Sequence, residues 1–125
     1  MTGQLELELG AQSNESNKYR KVSDLDMYQK VALTTAIYPR EQAIIYPTLG
    51  LTGEAGEVAN KVKKILRDGN FDRAAIADEV GDCLWYIAAL CRDLNVNMGE
   101  VAKNNLDKLQ DRKKRGTLSG NGDKR

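Results

Sequence analysis

The amino-acid sequence predicts an all-α protein with a single helical domain. Apolar residues recur at helical spacing between residues 24 and 114, and capping or stop signals divide this stretch into four segments. Alternation typical of a strand is confined to residues 5–9. A chain of 125 residues has room for one domain, and 41% hydrophobic with 30% charged residues suits a soluble globular protein.

Residues 1–22 are expected to form a flexible arm outside the helical domain. After the weak strand pattern, residues 12–18 are polar and rich in serine and asparagine, so the arm is either disordered or docks on a neighbour. No leader pattern and no long apolar run is present, which predicts a cytoplasmic location. The net charge of +1 predicts neither nucleic acid nor a membrane as a partner.

The first helix is predicted over residues 24–36. Ser23 and Asp26 have the spacing of a capping box, in which two side chains satisfy free backbone N–H groups at the helix start. Pro39 and Pro47 indicate a loop between this helix and the next.

Three further helices are predicted over residues 48–67, 72–94 and 97–114. An Asp-Gly-Asn sequence at 68–70 ends the second helix, and the third and fourth begin at an aspartate and an asparagine that can act as caps. The short connection makes the second and third helices an antiparallel hairpin. The helical domain is thus expected to span 23–115, followed by a glycine-rich tail.

The absence of histidine limits the chemistry open to this chain. It excludes histidine-based nucleophile systems and histidine-ligated metals. Cys83 and Cys91 are eight residues apart on one predicted helix, about 12 Å, and too far to form a disulfide, so both are expected as reduced thiols. Oxygen-ligand chemistry with a hard cation such as Mg²⁺ or Mn²⁺ remains.

Four acidic residues are predicted to gather on the hairpin. They form two pairs three residues apart, each on one helix face: Glu54 with Glu57, and Glu79 with Asp82. Both pairs lie roughly 15 Å from the hairpin turn, so folding brings them to one level. Four carboxylates repel unless a cation neutralises them, which predicts a Mg²⁺ site. The alternative is a solvated acidic face paired with nearby cations.

Gly56 and Gly81 stand at the same offset within the two acidic pairs. Glycine inside a helix costs about 1 kcal/mol relative to alanine. The repeated position predicts that another helix approaches the backbone there, and a second protomer could supply it.

These acidic pairs, with 21 residues between them, resemble the ExxE…ExxD signature of MazG-type nucleotide pyrophosphohydrolases. Residues 105–112 are similar to the family element Asn-x-x-Lys-Leu-x-x-Arg, and residues 120–125 to its Gly-x-Gly-Asp-x-Arg tail. The resemblance covers residues 25–125. Many members carry a further glutamate where this chain has Gly53, so the number of metal ions is open.

The resemblance implies a four-helix MazG-like bundle, assembled as a dimer or a dimer of dimers. It further implies Mg²⁺-dependent hydrolysis of nucleoside or deoxynucleoside triphosphates to a monophosphate and pyrophosphate, in house-cleaning or control of the nucleotide pool. Mn²⁺ is a possible substitute, and Glu54 or Glu57 would act as the general base. The expected substrate-binding residues are Lys61, Lys64, Asn105, Lys108, Arg112, Asp123 and Arg125.

Other interpretations remain open at this point. The related dUTPase-like and phosphoribosyl-ATP pyrophosphohydrolases share the acidic platform, and a non-catalytic helical dimerisation module would need no metal. Trp85 is expected in the core or a protomer interface, with stacking on a base as the alternative. The tail, 116–125, either closes over the nucleotide or is unstructured.

Overall fold

The computed structural model describes residues 24–125, so the arm predicted over 1–22 lies outside the described residues. Within them the chain is entirely helical and contains no strand, which confirms the predicted all-α class. The four helices are α1 (Leu25–Ala32), α2 (Ile45–Asp68), α3 (Arg73–Asp93) and α4 (Met98–Arg115).

Helices α2 and α3 form the predicted antiparallel hairpin and make the most extensive helix–helix packing of the described chain. Helix α2 ends at Gly69, whose φ of 72° is left-handed and whose N–H donates to the carbonyl of Ile65. The Asp72 carboxylate then accepts a hydrogen bond from the N–H of Ala75 and caps α3. Both turn signals therefore act as the sequence predicts.

Helix α2 begins three residues earlier than predicted, and Pro47 lies within its first turn. The expectation that Pro47 belongs to the loop is wrong. The first N–H groups of a helix have no partner inside it, so a proline there removes no hydrogen bond. Pro47 is fully buried, which gives the ring a packing role at the start of the helix.

Helix α1 is shorter than predicted and has a different cap. It ends at Ala32, and a 3-10 turn over Leu33–Thr35 continues it. The Asp24 carboxylate accepts a hydrogen bond from the N–H of Met27 and so caps the helix. Asp26 is directed away from the predicted capping box, because it accepts a hydrogen bond from the N–H of Gly99 in α4 at 2.7 Å.

The first turn of α4 is capped by side chains of α1. Asn97 occupies the cap position, but no hydrogen bond from its side chain to the helix is found among residues 24–125. The N–H of Met98 donates instead to the Gln29 side chain at 3.0 Å. Gln29 is buried and also donates to the carbonyls of Ala88 and Val96, so a single amide joins α1, α3 and α4.

A small core lies where these three helices meet. Ala88, Cys91 and Met98 form its buried centre, with partly buried side chains such as Leu33 and Leu84 around them. Both cysteines are free thiols, as expected. No helix within the described residues combines the length and the apolarity needed to cross a bilayer.

Candidate metal centre

Three of the four predicted carboxylates converge on one side of the hairpin. Glu54 from α2 and Glu79 and Asp82 from α3 each offer an oxygen, and these oxygens lie within 4.8 Å of one another. Antiparallel packing brings the residues to one level, and the three-residue spacing turns the two α3 acids to one face. Oxygen ligands at this separation suit a hard divalent cation.

Glu57, the fourth predicted ligand, is not among the three residues that converge. It lies close enough for its charge to act on both Glu54 and Lys61. The structure therefore places Glu57 beside the group of three as an exposed neighbour.

The convergence raises the pKa of Glu54 above its usual range. Partial desolvation is the largest cause, followed by the negative charges of Asp82, Glu79 and Glu57. A raised pKa means that the ionised form of Glu54 is disfavoured, both by lost hydration and by the neighbouring negative charges. A bound cation would offset those charges and favour the charged form.

Lys61 supplies one positive charge to the acidic group. Its ammonium lies 3.1 Å from a carboxylate oxygen of Glu79, and the hydrogen bond and charge of Glu79 raise the pKa of Lys61. Both side chains are largely shielded, with 29% of Lys61 and 17% of Glu79 exposed. Lys64, one turn further on, lines a small cavity of about 120 Å³ with Lys61 near the hairpin turn.

An aromatic layer lies next to the acidic group. Tyr86 is one turn beyond Asp82, and its ring packs on Gly50, which is one turn before Glu54. A Cβ atom at Gly50 would lie 2.1 Å from the ring, so only glycine admits Tyr86 at this depth. Burial, the neighbouring Tyr46, and the charges of Glu54 and Asp82 together raise the pKa of Tyr86.

The contact between Tyr86 and Gly50 was not predicted from the sequence, which indicated a close helix approach at Gly56 and Gly81 instead. A Cβ at Gly56 or Gly81 would meet no atom within 4 Å in the part of the chain that the structure describes. The signal for Gly50 was present, since an in-helix glycine stands four residues before Glu54. Its partner could only be identified once the hairpin was packed.

Trp85 joins α3 to the end of α1. Its indole N–H donates to the carbonyl of Ala32 at 3.1 Å and to the hydroxyl of Thr35 at 2.9 Å. The ring also meets Tyr86 edge-on at 5.1 Å. These contacts favour the core interpretation of Trp85 over stacking on a base.

The predicted phosphate-binding residues of α4 are already engaged by the tail. The Lys108 ammonium lies 2.9 Å from a carboxylate oxygen of Asp123. Arg112 is buried and donates to both the carboxylate and the backbone carbonyl of Asp123. Asn105, on the same helix face, is exposed. The tail therefore folds back on α4.

Arg125 closes the tail onto itself. Its guanidinium donates to the carbonyls of Gly122 and Leu118, while Arg115 donates to the carbonyl of Arg125. Among residues 24–125, no hydrogen bond or ion pair joins this tail or the basic half of α4 to the acidic group. One chain thus holds the predicted metal ligands and the predicted α4 cations as two separate groups.

Comparisons with known proteins bear on both groups. A family model described as "MazG nucleotide pyrophosphohydrolase domain" matches residues 45–117, from the first residue of α2 to just beyond α4. The chain is 46% identical over 112 residues to the "Gene 37 protein" of Mycobacterium phage L5, which covers 81% of this chain and 98% of the phage protein. No solved structure matches the chain.

Proposed function

The chain belongs to the MazG nucleotide pyrophosphohydrolase family, and from this premise we propose that it hydrolyses nucleoside or deoxynucleoside triphosphates to a monophosphate and pyrophosphate in a Mg²⁺-dependent reaction. The family membership supports a pyrophosphohydrolase-type hydrolase in general. The proposal adds the substrate, the metal and a role in house-cleaning or control of the nucleotide pool.

The convergence of Glu54, Glu79 and Asp82 is the observation that carries the proposal. These residues would hold Mg²⁺, with Mn²⁺ as a substitute, because hard cations take carboxylate oxygens as ligands. When bound, the ion supplies neutralisation of the phosphate oxygens and lowers the pKa of a coordinated water. The three carboxylates, one from α2 and two from α3, would hold the ion.

We assign the general base to Glu57. It lies one turn from Glu54 but outside the group of three, so its carboxylate keeps its lone pairs for a proton. Glu54, whose ionised form is disfavoured without a cation, is better suited to metal binding. Exchange of Glu57 for glutamine should therefore lower the rate more than the metal affinity.

The predicted cations would meet the substrate phosphates. Lys61 already lies at the acidic group, and Lys64 follows it toward the hairpin turn. At Lys108, a phosphate would take the place of the Asp123 carboxylate, since both present anionic oxygens. Arg112 and Arg125 would then hold the tail near the nucleotide, and the exposed Asn105 would offer its side-chain amide to the substrate.

We also propose a homodimer or homotetramer. Large apolar side chains are exposed on α2 and α4, among them Leu49 at 68%, Leu66 at 88% and Leu106 at 58%. Exposed large apolar side chains favour association when a second copy can cover them. The open positions at Gly56 and Gly81 would admit a helix of a second copy. Sedimentation showing a monomer at micromolar concentration would overturn this part of the proposal.

A nucleotide panel tests the reaction. The protein would be incubated with Mg²⁺ and with canonical and modified triphosphates, dUTP and phosphoribosyl-ATP, and the products separated by ion exchange. Monophosphate and pyrophosphate are expected in equal amounts, whereas diphosphate and phosphate would contradict the proposal. Water labelled with ¹⁸O identifies the phosphorus attacked. The substrate cleaved most efficiently separates a general pyrophosphohydrolase from the dUTPase-like and phosphoribosyl-ATP alternatives.

The exposed apolar surface also supports the second candidate, a non-catalytic dimerisation module. Thermal melting with and without Mg²⁺ separates the two. A cation held by the carboxylates stabilises the folded protein by mass action, so the melting temperature should rise with Mg²⁺ concentration. A curve indifferent to Mg²⁺, together with no product from any nucleotide, would favour the module.

A further inference from the structure

The backbone enters α2 through a strained turn. Ile44 has φ 70° and ψ −51°, and the N–H of Ile45 donates to the carbonyl of Ala43 at 2.8 Å, which closes a three-residue turn around Ile44. β-Branched residues rarely adopt a positive φ, because the side chain crowds the backbone. Something in the surrounding structure must therefore hold Ile44 in place.

The buried carboxylate of Asp93, at the end of α3, holds this turn. It accepts hydrogen bonds from the N–H of Ile44 at 2.9 Å, from the Tyr38 hydroxyl at 2.8 Å and from Arg40 at 3.0 Å. Its side chain is 0% exposed. Burial acts to raise the pKa of Asp93, but the hydrogen bonds from Ile44, Tyr38 and Arg40 outweigh it and lower the pKa.

A line of aromatic rings leads from this carboxylate toward the acidic group. The Tyr38 ring stacks on Tyr46 in the first turn of α2, with centroids 4.7 Å apart and planes 15° from parallel. Tyr46 faces Tyr86 at 6.3 Å, and Tyr86 fills the space over Gly50. Since Gly50 and Tyr86 each lie one turn from a metal-binding candidate, the ring sets the helix separation beside the site.

We propose that Asp93 is a positioning residue for the metal centre: by holding the Ile44 turn and the Tyr38 hydroxyl, it sets Tyr46 and Tyr86 and hence the spacing of Glu54 and Asp82. Asp93 lies about 16 Å along α3 from Asp82, too far to be a further ligand of an ion held there. The inference rests on the proposed function, because it explains how three carboxylates on two helices are kept at a fixed separation.

The test compares Asp93→Asn with Gln29→Ala. Both variants weaken a buried polar junction, but Gln29 joins α1, α3 and α4 and does not contact the turn at Ile44. The dissociation constant for Mg²⁺ alone would be measured by calorimetry for each variant, together with its melting temperature. We expect Asp93→Asn to weaken Mg²⁺ binding about tenfold, as supporting residues of metal sites do, and Gln29→Ala to leave it within about twofold.

Metal-free protein gives a second readout. Hydrogen exchange at the amides of residues 48–52 should accelerate in Asp93→Asn and stay unchanged in Gln29→Ala, because only the former releases the start of α2. Tyr38→Phe removes a single hydroxyl and keeps the ring stack, so it provides a milder variant that should fold. It is expected to weaken Mg²⁺ binding about twofold to threefold.

Ile44→Gly tests whether Asp93 acts on the metal centre by holding the turn at Ile44. Glycine adopts a φ of 70° without strain, so Ile44→Gly added to Asp93→Asn should recover at least about half of the lost Mg²⁺ affinity on a logarithmic scale. Equal effects of Asp93→Asn and Gln29→Ala, or no recovery, would overturn the inference while wild-type Mg²⁺ binding kept the proposed function intact. Wild-type protein that binds no Mg²⁺ would refute both.

Discussion

The acidic side of the α2–α3 hairpin and the basic half of α4 carry opposite charges and differ in how those charges are balanced. On the hairpin, three carboxylates converge within 4.8 Å, and Lys61 supplies a single ion pair. On α4, Lys108 and Arg112 meet Asp123 of the following tail. The hairpin group thus has negative charge in excess, whereas on α4 two cations share one carboxylate of the tail and positive charge remains.

This difference bears on what each region can bind. An excess of like charge favours any ligand that removes the repulsion, so a cation gains from entering the acidic group. On α4, an incoming anion must displace the Asp123 carboxylate, which already pairs with Lys108 and Arg112. Exposed ion pairs contribute little, so another anionic oxygen can compete with the Asp123 carboxylate for Lys108, which is partly exposed. Arg112 is shielded, which makes it a support of the tail before it is a ligand of phosphate.

The largest effect is expected from removing one carboxylate charge on the acidic side of the hairpin. Glu79→Gln keeps the size of the side chain but removes one ligand charge and the partner of Lys61. Because even supporting residues of metal sites are worth about 10-fold to 100-fold, we expect loss of at least about 100-fold in kcat/KM with Mg²⁺. Pyrophosphate release measures it.

Asp78→Asn is the matched control for this prediction. Asp78 is the adjacent acid on α3, is exposed, and is not one of the three converging residues. Activity within about threefold of wild type is expected for Asp78→Asn. Equal losses in the two variants would show that general negative charge, rather than the converging group, supports the reaction.

The next effect comes from removing the buried contact between α4 and the tail. Arg112→Ala removes the hydrogen bonds from the buried guanidinium to the carboxylate and carbonyl of Asp123, at a cost of about 1–2 kcal/mol. Proteolysis in the tail, residues 116–125, should accelerate. Lys103→Ala, which alters only an exposed pair within α4, is the control and should leave the tail protected.

A smaller effect is expected on the stability of the metal-free protein when Glu54 loses its charge. In metal-free protein, Glu54→Gln should raise the melting temperature at neutral pH, because it removes a carboxylate whose ionised form is disfavoured in the folded state. The folded pKa is raised, so wild-type stability falls as the pH rises from the ordinary value of 4.5 toward the folded value. The gain should vanish below that window.

Addition of Mg²⁺ should reverse the order of these two proteins. The wild type gains stability through ion binding, which amounts to about 2.7 kcal/mol at 100 times the dissociation constant. Glu54→Gln gains less, because it lacks one ligand charge. An unchanged order of melting temperatures at saturating Mg²⁺ would contradict the assignment of Glu54 as a ligand.

The smallest effect concerns Asp123→Asn. The hydrogen bonds from Lys108 and Arg112 lower the pKa of Asp123, so its contribution is present above the ordinary value of 3.8 and is lost as the pH falls through the lower folded value. The variant should melt slightly below wild type at neutral pH, with the two curves converging in acid. Equal melting temperatures at neutral pH would indicate that the contact to the Asp123 backbone carbonyl, not the carboxylate, holds the tail.

The two regions also differ in what could be predicted from the sequence. The spacing of Glu54, Glu79 and Asp82 predicted their shared level, because helix periodicity and a short turn determine it. The position of Glu57 beside the group was not predicted. Which glutamate of α2 faces the acids of α3 depends on the rotation of each helix about its own axis, and the sequence does not specify that rotation. The pairing of Lys108 with Asp123 was missed, because a tail's return path has no periodic signal.

The predicted helix ends were correct where residues close in sequence supply the hydrogen-bond partners of the terminal backbone groups. The stop at Gly69 and the cap at Asp72 agree with the structure for this reason. At α4, Asn97 occupies the predicted cap position, but the first N–H groups donate to Gln29 and Asp26 of α1 instead of to its side chain. At α1 the cap is Asp24, and Ser23 of the predicted capping box lies outside the described residues. Pro47 was misassigned because a proline in a first helical turn looks the same in sequence as a proline in a loop.

The sequence by itself determined the helical class, the hairpin, the acidic pairs and the family resemblance, since each depends on residue spacing along the chain. The tertiary structure alone decided which carboxylates meet, that Tyr86 fills the space at Gly50, and that Asp93 holds the strained turn at Ile44. These contacts join residues of different segments that lie 25 to 49 positions apart in the sequence. They follow from how helices rotate and pack against each other, which the periodicity of one helix does not specify.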